Sequence, residues 1–230
     1  MFAPFPLLYE DDQLIAINKP SGILVHRTRI SEDKVFVLQR LRDQIGQKVF
    51  PVHRLDRGTS GVLLFAKDSE SAGQMGKQFQ DQLVSKSYLA IVRGYLPLRG
   101  TIDYALTNRS PQEPQKAITH YERLQQTELA VAIGRYPSAR YSLIKAKPET
   151  GKFHQIRRHF SHLRHPIIGD KKHGDVKHNN YWRDHWDISR LLLHAQSLSF
   201  LHPSGERLVL KAEVPADFRK ALLHLDWDKY

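Results

Sequence analysis

The feature that most narrows the fold is a short, uninterrupted apolar run, Gly61–Ala66. It follows directly on a charged, turn-forming segment, Val52-His53-Arg54-Leu55-Asp56-Arg57-Gly58-Thr59-Ser60. Six residues are too few for an ordinary helix and show no 3.6-residue stripe, so the run reads as a buried strand. Other strand-sized segments surround it. PLLYEDDQLIAINKP predicts two strands about a turn at Asp11-Asp12, closed by Pro20-Ser21-Gly22. Further strands are expected at Val49–Arg54, Ser87–Val92, Ile118–Arg123, Leu129–Ile133, Tyr141–Ala146, Leu192–Phe200 and Leu208–Ala212.

Helical stripes are fewer. Val35, Leu38, Leu41 and Ile45 share one side of a helix with a cap expected at Ser31-Glu32-Asp33 and a stop at Gly46. Ala72, Met75, Phe79 and Leu83 mark a second helix, opened by Ser69. Phe153, Ile156, Phe160 and Leu163 mark a third, which must end by Pro166. Pro215 opens a last helix carrying Phe218, Leu222 and Leu225. Strands outnumber helices and do not alternate with them, which predicts an α+β fold on a mixed, mostly antiparallel sheet flanked by helices and loops. With 230 residues and 40% hydrophobic content, the chain is read as one domain, residues 1–230. Thr107–Lys116, polar with two prolines, is the best loop or hinge.

Charge narrows the partner. Lys+Arg 35 against Asp+Glu 24 leaves +11, which points to nucleic acid, an anionic membrane or acidic ligands. The absence of cysteine excludes disulfides, thiolate catalysis and Cys-ligated metal. MFAPFPLLYEDD has no signal-peptide pattern and no apolar run reaches membrane-spanning length, so a cytoplasmic protein without membrane attachment is expected.

Two segments can carry chemistry. In the first, Asp56 lies between Arg54 and Arg57 on a turn rich in Gly, Thr and Ser. A guanidinium within roughly 4–6 Å would hold the carboxylate ionised, as a nucleophile or general base requires; a structural ion pair that starts the turn is the plainer reading. In the second, residues 145–172 hold Lys145, Lys147, Lys152, Arg157, Arg158, Arg164, Lys171 and Lys172 against only Glu149 and Asp170. His154, Arg158, Ser161 and His165 line a helix face opposite the apolar stripe, with Arg157 and Arg164 beside them. Such a row suits a phosphate backbone. A solvated helix face is the alternative, and the six-charge excess of one sign favours the anionic partner. His159, His162 and His165 are only loosely on one face and lack a supporting Cys or Glu, so no metal is assigned and scattered surface histidines near phosphate are expected. Tyr88 lies on a strand among alternating apolar residues, as a core residue or as a base-stacking ring. No phosphate-binding or dinucleotide glycine loop occurs, so no cofactor is expected.

These residues resemble a known family. HRLDRGTSG is similar to the H-R-L-D-x-x-T-S-G signature of the RluA-type pseudouridine synthases. Asn18–Gly22 resembles their N-K-P-x-G entry strand, Lys86–Gly94 their K-x-Y-x-A-x-V-x-G strand, and Thr150–His159 their T-G-R-x-H-Q-I-R-x-H segment, with Lys152 in place of the usual Arg. The four occur in the family's order, from Asn18 to His159. The resemblance implies the pseudouridine synthase fold without a separate N-terminal RNA-binding domain. It also implies an isomerase that turns a uridine of RNA into pseudouridine. By it, Asp56 is the catalytic carboxylate, Tyr88 packs on the target uracil, and Arg157 pairs with the aspartate. Arg54 helps take the base out of the RNA. His53, Arg57, Thr59, Lys152, His154, Arg158 and Lys172 are expected to contact substrate. Within the family the likeness is to members acting on tRNA, which implies the T-stem uridine at position 65. A ribosomal RNA target and a non-catalytic RNA-binding protein are the alternatives. A monomer with no obligatory protein partner is expected.

Overall fold

A computed structural model of the chain describes residues 3–27, 35–107 and 113–227. The chain divides into two compact units, Met1–Lys86 with Ala195–Glu213 and Ser87–His194 with Val214–Tyr230.

In the first unit, β1 (Leu7–Glu10) and β2 (Leu14–Lys19) form the expected hairpin. Asp11 closes its turn by accepting the backbone N–H groups of Gln13 and Leu14 on Oδ1, at 2.8 and 2.7 Å. Helix α1 (Val37–Ile45) stops at Gly46, which adopts the left-handed conformation (φ 64°) that glycine enters without strain. Its first flanking residue is Phe36, so the helix starts later than its stripe suggested; the cap expected at Ser31–Asp33 lies outside the described residues. After β3 (Phe50–Pro51), strand β4 (Ser60–Ala66) is buried at every position, as its apolar run required. Helix α2 (Ser69–Gln80) is capped by Asp68, whose carboxylate takes Ser71 N–H at 2.8 Å; Ser69 is the first helical residue rather than the cap.

The unit is completed by most of β9 (Leu193–Leu201) and by β10 (Arg207–Lys211). Strand order is β1-β2-β4-β9, with β10 paired to β9 and β3 to β4. The core packs Leu14, Ala16, Val62 and Leu64 with Met75 of α2 and Leu198 and Phe200 of β9. Gly61 has φ 112°, and a Cβ there would stand 2.7 Å from both Ala195 N and Ala195 C. The backbones approach so closely that only glycine fits.

The second unit holds most of β5 (Ser85–Arg93), with β6 (Arg99–Asp103), β7 (Ile118–Leu129) and β8 (Ala139–Pro148). They are ordered β5-β8-β7-β6 and paired antiparallel. Helices α3 (Gln155–His162), α4 (Val176–Trp186) and α5 (Ala216–Leu223) cover them. Alternate strand residues serve opposite faces. Leu89, Ile91, Tyr141 and Leu143 pack with Trp182 of α4 and Phe218 of α5, whereas Ala90, Val92, Ile144 and Ala146 pack with Ile156 and Phe160 of α3. Leu129–Ile133 is not a separate strand: Leu129 ends β7 and the chain turns before β8. Helix α4 and strand β6 are not marked by any pattern in the sequence. Among the described residues no helix is long and apolar enough to cross a membrane.

Candidate active site

Asp56 sits, half-buried, on the loop between β3 and β4. Leu55, 5% exposed, roots this loop in the core, and Asp56 C=O accepts Thr59 N–H at 3.1 Å to close its turn. The turn after β2 clamps the loop from the other side. The fully buried Lys19 ammonium donates to three carbonyls, Pro20 at 2.8, Arg57 at 3.2 and Thr59 at 2.8 Å. Ser21 Oγ donates to Gly58 C=O at 2.7 Å, and Gly22 N–H to Arg57 C=O at 2.8 Å. Arg57 Nε returns a bond to Gly22 C=O at 3.0 Å. A buried cation is costly unless hydrogen-bonded, and here the carbonyls satisfy it while the loop backbone is fixed. Asn18–Gly22, read from sequence as a simple turn, is thus the anchor of the Asp56 loop.

The other residues of this segment divide by position. Arg54 and Arg57 are exposed. Thr59, expected among the substrate-contacting residues, is 2% exposed; its N–H donates to Asp56 C=O within the loop and its C=O accepts the Lys19 ammonium. His53 stacks on Phe79 of α2 with ring centroids 4.7 Å apart, and its Nε2 accepts Leu64 N–H at 2.9 Å. Burial, followed by the charge of Lys86, pushes its pKa down to about 3, so the ring is neutral and pins β4.

In the second unit, Tyr88 on β5 faces α3 and packs, half-buried, against the cluster of Ile156 and Phe160. Its backbone pairs with Ala146 of β8. Arg157 was expected beside an outward helix face; it is instead 9% exposed. Its Nε and Nη2 donate to Asp170 Oδ2 and Oδ1 at 2.7 and 2.8 Å, a side-on bidentate pair. Asp170 Oδ1 also accepts the N–H groups of Lys172 and His173, at 2.9 and 3.0 Å. Burial alone would raise the Asp170 carboxyl. The Arg157 bonds and charge, with the two backbone N–H groups, outweigh it and hold the pKa below the ordinary carboxylate value. Asp170, which the sequence showed only as one of two acids in a basic stretch, therefore fixes the Arg157 guanidinium.

Gln155 was likewise missed. Its Oε1 accepts Thr150 Oγ1 at 2.7 Å and Lys152 N–H at 2.9 Å, and its Nε2 donates to Ile118 C=O and Thr119 Oγ1 at 2.9 and 3.1 Å. This buried amide ties the turn before α3 to β7. His154 enters α3 in the left-handed conformation (φ 53°); it stacks on Phe153 and meets His173 at 3.0 Å. Lys152 and Arg158 are half-buried, and Lys172 is exposed with its ammonium 5.9 Å from the Phe153 ring centroid. The three helix histidines are not equivalent. His159 is fully buried, between Thr119 Oγ1 (2.9 Å) and Tyr104 C=O (3.1 Å), which corrects its reading as a surface residue. His162 stacks on Tyr104, and His165 bonds Arg93 C=O at 2.8 Å.

Each unit thus holds its motif residues by buried polar contacts: a clamped aspartate loop in one, and an anchored guanidinium with a half-buried tyrosine in the other. Comparison with known proteins bears on what such parts do. A profile described as RNA pseudouridylate synthase matches residues 13–162. Relatives named tRNA pseudouridine synthase C include one from Pectobacterium carotovorum, 50% identical over 96% of this chain; the chain spans 62% of that relative's length. Another, from Vibrio parahaemolyticus, is 46% identical over 97% of this chain and 96% of its own length. A third, from Haemophilus influenzae, is 47% identical over 96% of this chain and 98% of its own. The structure is similar to those of human RNA pseudouridylate synthase domain containing 1 and 4. TM-scores are 0.76 and 0.75 at 25% identity, covering 92% and 96% of this chain and 84% and 93% of those chains. The chain therefore belongs to the RNA pseudouridylate synthase family and is an isomerase of that class.

Proposed function

We propose that the protein isomerises a uridine of tRNA to pseudouridine, and that the target is the T-stem uridine at position 65. The reaction breaks the N1–C1′ bond, turns the uracil and forms a C5–C1′ bond. The proton lost from C5 is balanced by one gained at N1, so neither oxidant nor co-substrate is required. Asp56 supplies the carboxylate, attacking C1′ or removing the 2′ proton. Tyr88 holds the free uracil by stacking, which leaves it able to rotate, and Arg157 is the cation that the family motif assigns to catalysis. Extruding the target nucleotide costs a few kcal/mol. Arg54, exposed on the Asp56 loop, offsets that cost by filling the vacated space, and Arg57, Lys152, His154, Arg158 and Lys172 hold the backbone.

The observation that carries this reading is the Lys19 clamp. A buried ammonium spent on fixing the backbone of a surface loop makes sense where one side chain on that loop, Asp56, must meet its target reproducibly. The choice of tRNA rests on the names of relatives 45–50% identical to the chain. We take residues 1–230 as one catalytic domain, acting as a cytoplasmic monomer.

The test is carbodiimide labelling with primer extension on an unmodified tRNA transcript treated with the purified protein. A new stop reporting position 65 is expected. A stop elsewhere in tRNA corrects the position, and modification of ribosomal RNA but not tRNA overturns the substrate. Absence of any stop on either RNA, with binding retained, favours the non-catalytic alternative.

A further inference from the structure

At the C-terminal end of α3, away from the motif residues at its start, lies an aromatic pair that the proposed reaction does not use. Tyr104 and His162 stack with ring centroids 3.7 Å apart and planes 16° from parallel. Both side chains are exposed, Tyr104 to 43%. Their backbone setting is rigid. Tyr104 N–H donates to Ala117 C=O at 3.2 Å, and Tyr104 C=O is held by the buried His159 at 3.1 Å. His162 belongs to the helix that Phe160 and Ile156 fix to the core. Arg158 precedes His162 by one helical turn and so shares its face. Its Nη1 donates to Thr107 C=O at 2.9 Å, three residues beyond Tyr104. One of five guanidinium N–H donors is used there, which leaves the group able to serve a phosphate.

A preformed, solvent-facing ring stack with a guanidinium group on the same helix face has the chemistry of a nucleobase platform. Stacking needs no particular base edge, and the Arg158 guanidinium can meet an adjoining phosphate. We propose that Tyr104 and His162, with Arg158, form a second RNA-contact surface that stacks an unpaired nucleotide of the substrate outside the reacting site. The proposal rests on the RNA-modifying reading above and deepens it. The platform raises affinity for the folded RNA and does not take part in bond making, because its rings act on a nucleotide that stays chemically unchanged.

The probe is a full-length unmodified tRNA transcript, with Kd measured by filter binding across a salt series and pseudouridine formation measured in parallel. Tyr104→Leu, which removes the ring but keeps bulk, is expected to weaken binding about 10-fold, within the range that stacking contributes. It should leave the log–log salt slope unaltered and act on KM rather than kcat. Tyr104→Phe, which keeps a ring, should lose much less. Arg158→Gln should instead lower the slope by about one. His162→Ala repeats the test with Tyr104 intact and is expected to weaken binding in the same slope-independent way. Equal Kd for the wild type, Tyr104→Leu and His162→Ala overturns the platform. So does a loss in Tyr104→Leu that appears in kcat alone, or one that Tyr104→Phe shares in full. A wild type that binds tRNA but forms no pseudouridine overturns the catalytic reading instead, and the Kd comparison still decides the platform.

Discussion

Replacing Lys19 by Met keeps the length and most of the bulk of the side chain while deleting the ammonium that holds the Asp56 loop. The three acceptors then fare differently. Arg57 C=O keeps the Gly22 N–H, and Pro20 is exposed, so its carbonyl regains water. Thr59, 2% exposed, loses its 2.8 Å donor in a place that water does not reach. One buried acceptor left unsatisfied costs about 1–3 kcal/mol, and the weakened bond to Arg57 adds about 1 kcal/mol. The net expectation is a loss of about 2–4 kcal/mol, which lowers Tm by roughly 4–15 °C for a chain of this size. Differential scanning fluorimetry checks the stability, and single-turnover pseudouridine formation below the melting range checks the function. Turnover should fall more than RNA affinity, since the loop carrying Asp56 is loosened while the cationic surface of α3 is untouched. A Lys19→Met protein that melts within about 1 °C of wild type and turns over normally would refute the clamp.

Two further outcomes come from the same unit. Gly61→Ala combines a φ of 112° with a Cβ 2.7 Å from the Ala195 backbone, which cannot swing aside as a flexible side chain would; a loss of about 2–4 kcal/mol is expected by chemical denaturation. His53 has a folded pKa of about 3 against an unfolded value near 6.5, so the unfolded chain binds the proton first as pH falls. Its contribution to stability is therefore complete above about pH 6.5 and is lost between there and pH 3, at about 1.4 kcal/mol per pH unit. His53→Gln, which can still accept Leu64 N–H, should flatten the wild-type pH dependence over that window; an unchanged slope would show that the ring is not held neutral.

What was legible in the sequence was what depends on local pattern. The β1–β2 hairpin, the Gly46 stop and the buried β4 run appear where the residues place them, as do Ala72, Met75 and Phe79 of the α2 stripe; Leu83 falls beyond the end of the helix and is exposed. Helix α4 escaped because VKHNNYWRDHW is polar and rich in weak helix formers; its packing rests on Trp182, and only the folded sheet supplies the partner surface. Strand β6, five residues with a glycine, carries too little pattern to be seen. At the site, the motif residues were legible, but the groups that position them were not. Arg157 could be placed on a helix, yet its inward turn depends on Asp170, thirteen residues later in the chain. In the sequence Lys19 shows only as a turn residue, Gln155 as one position of a motif and His159 as one of three helix histidines. Each is a buried polar group whose partners come from distant segments, and burial of that kind has no periodic signature.

The measurement that bears most directly on the whole account is turnover of Asp56→Asn on an unmodified tRNA transcript, read beside its affinity for the same RNA. Asparagine keeps the shape and the loop but cannot act as an ionised carboxylate. The account predicts pseudouridine formation reduced at least about 1000-fold, in keeping with the removal of a nucleophile or base, with Kd within a few-fold of wild type. Pseudouridine formed at more than a tenth of the wild-type rate would contradict it.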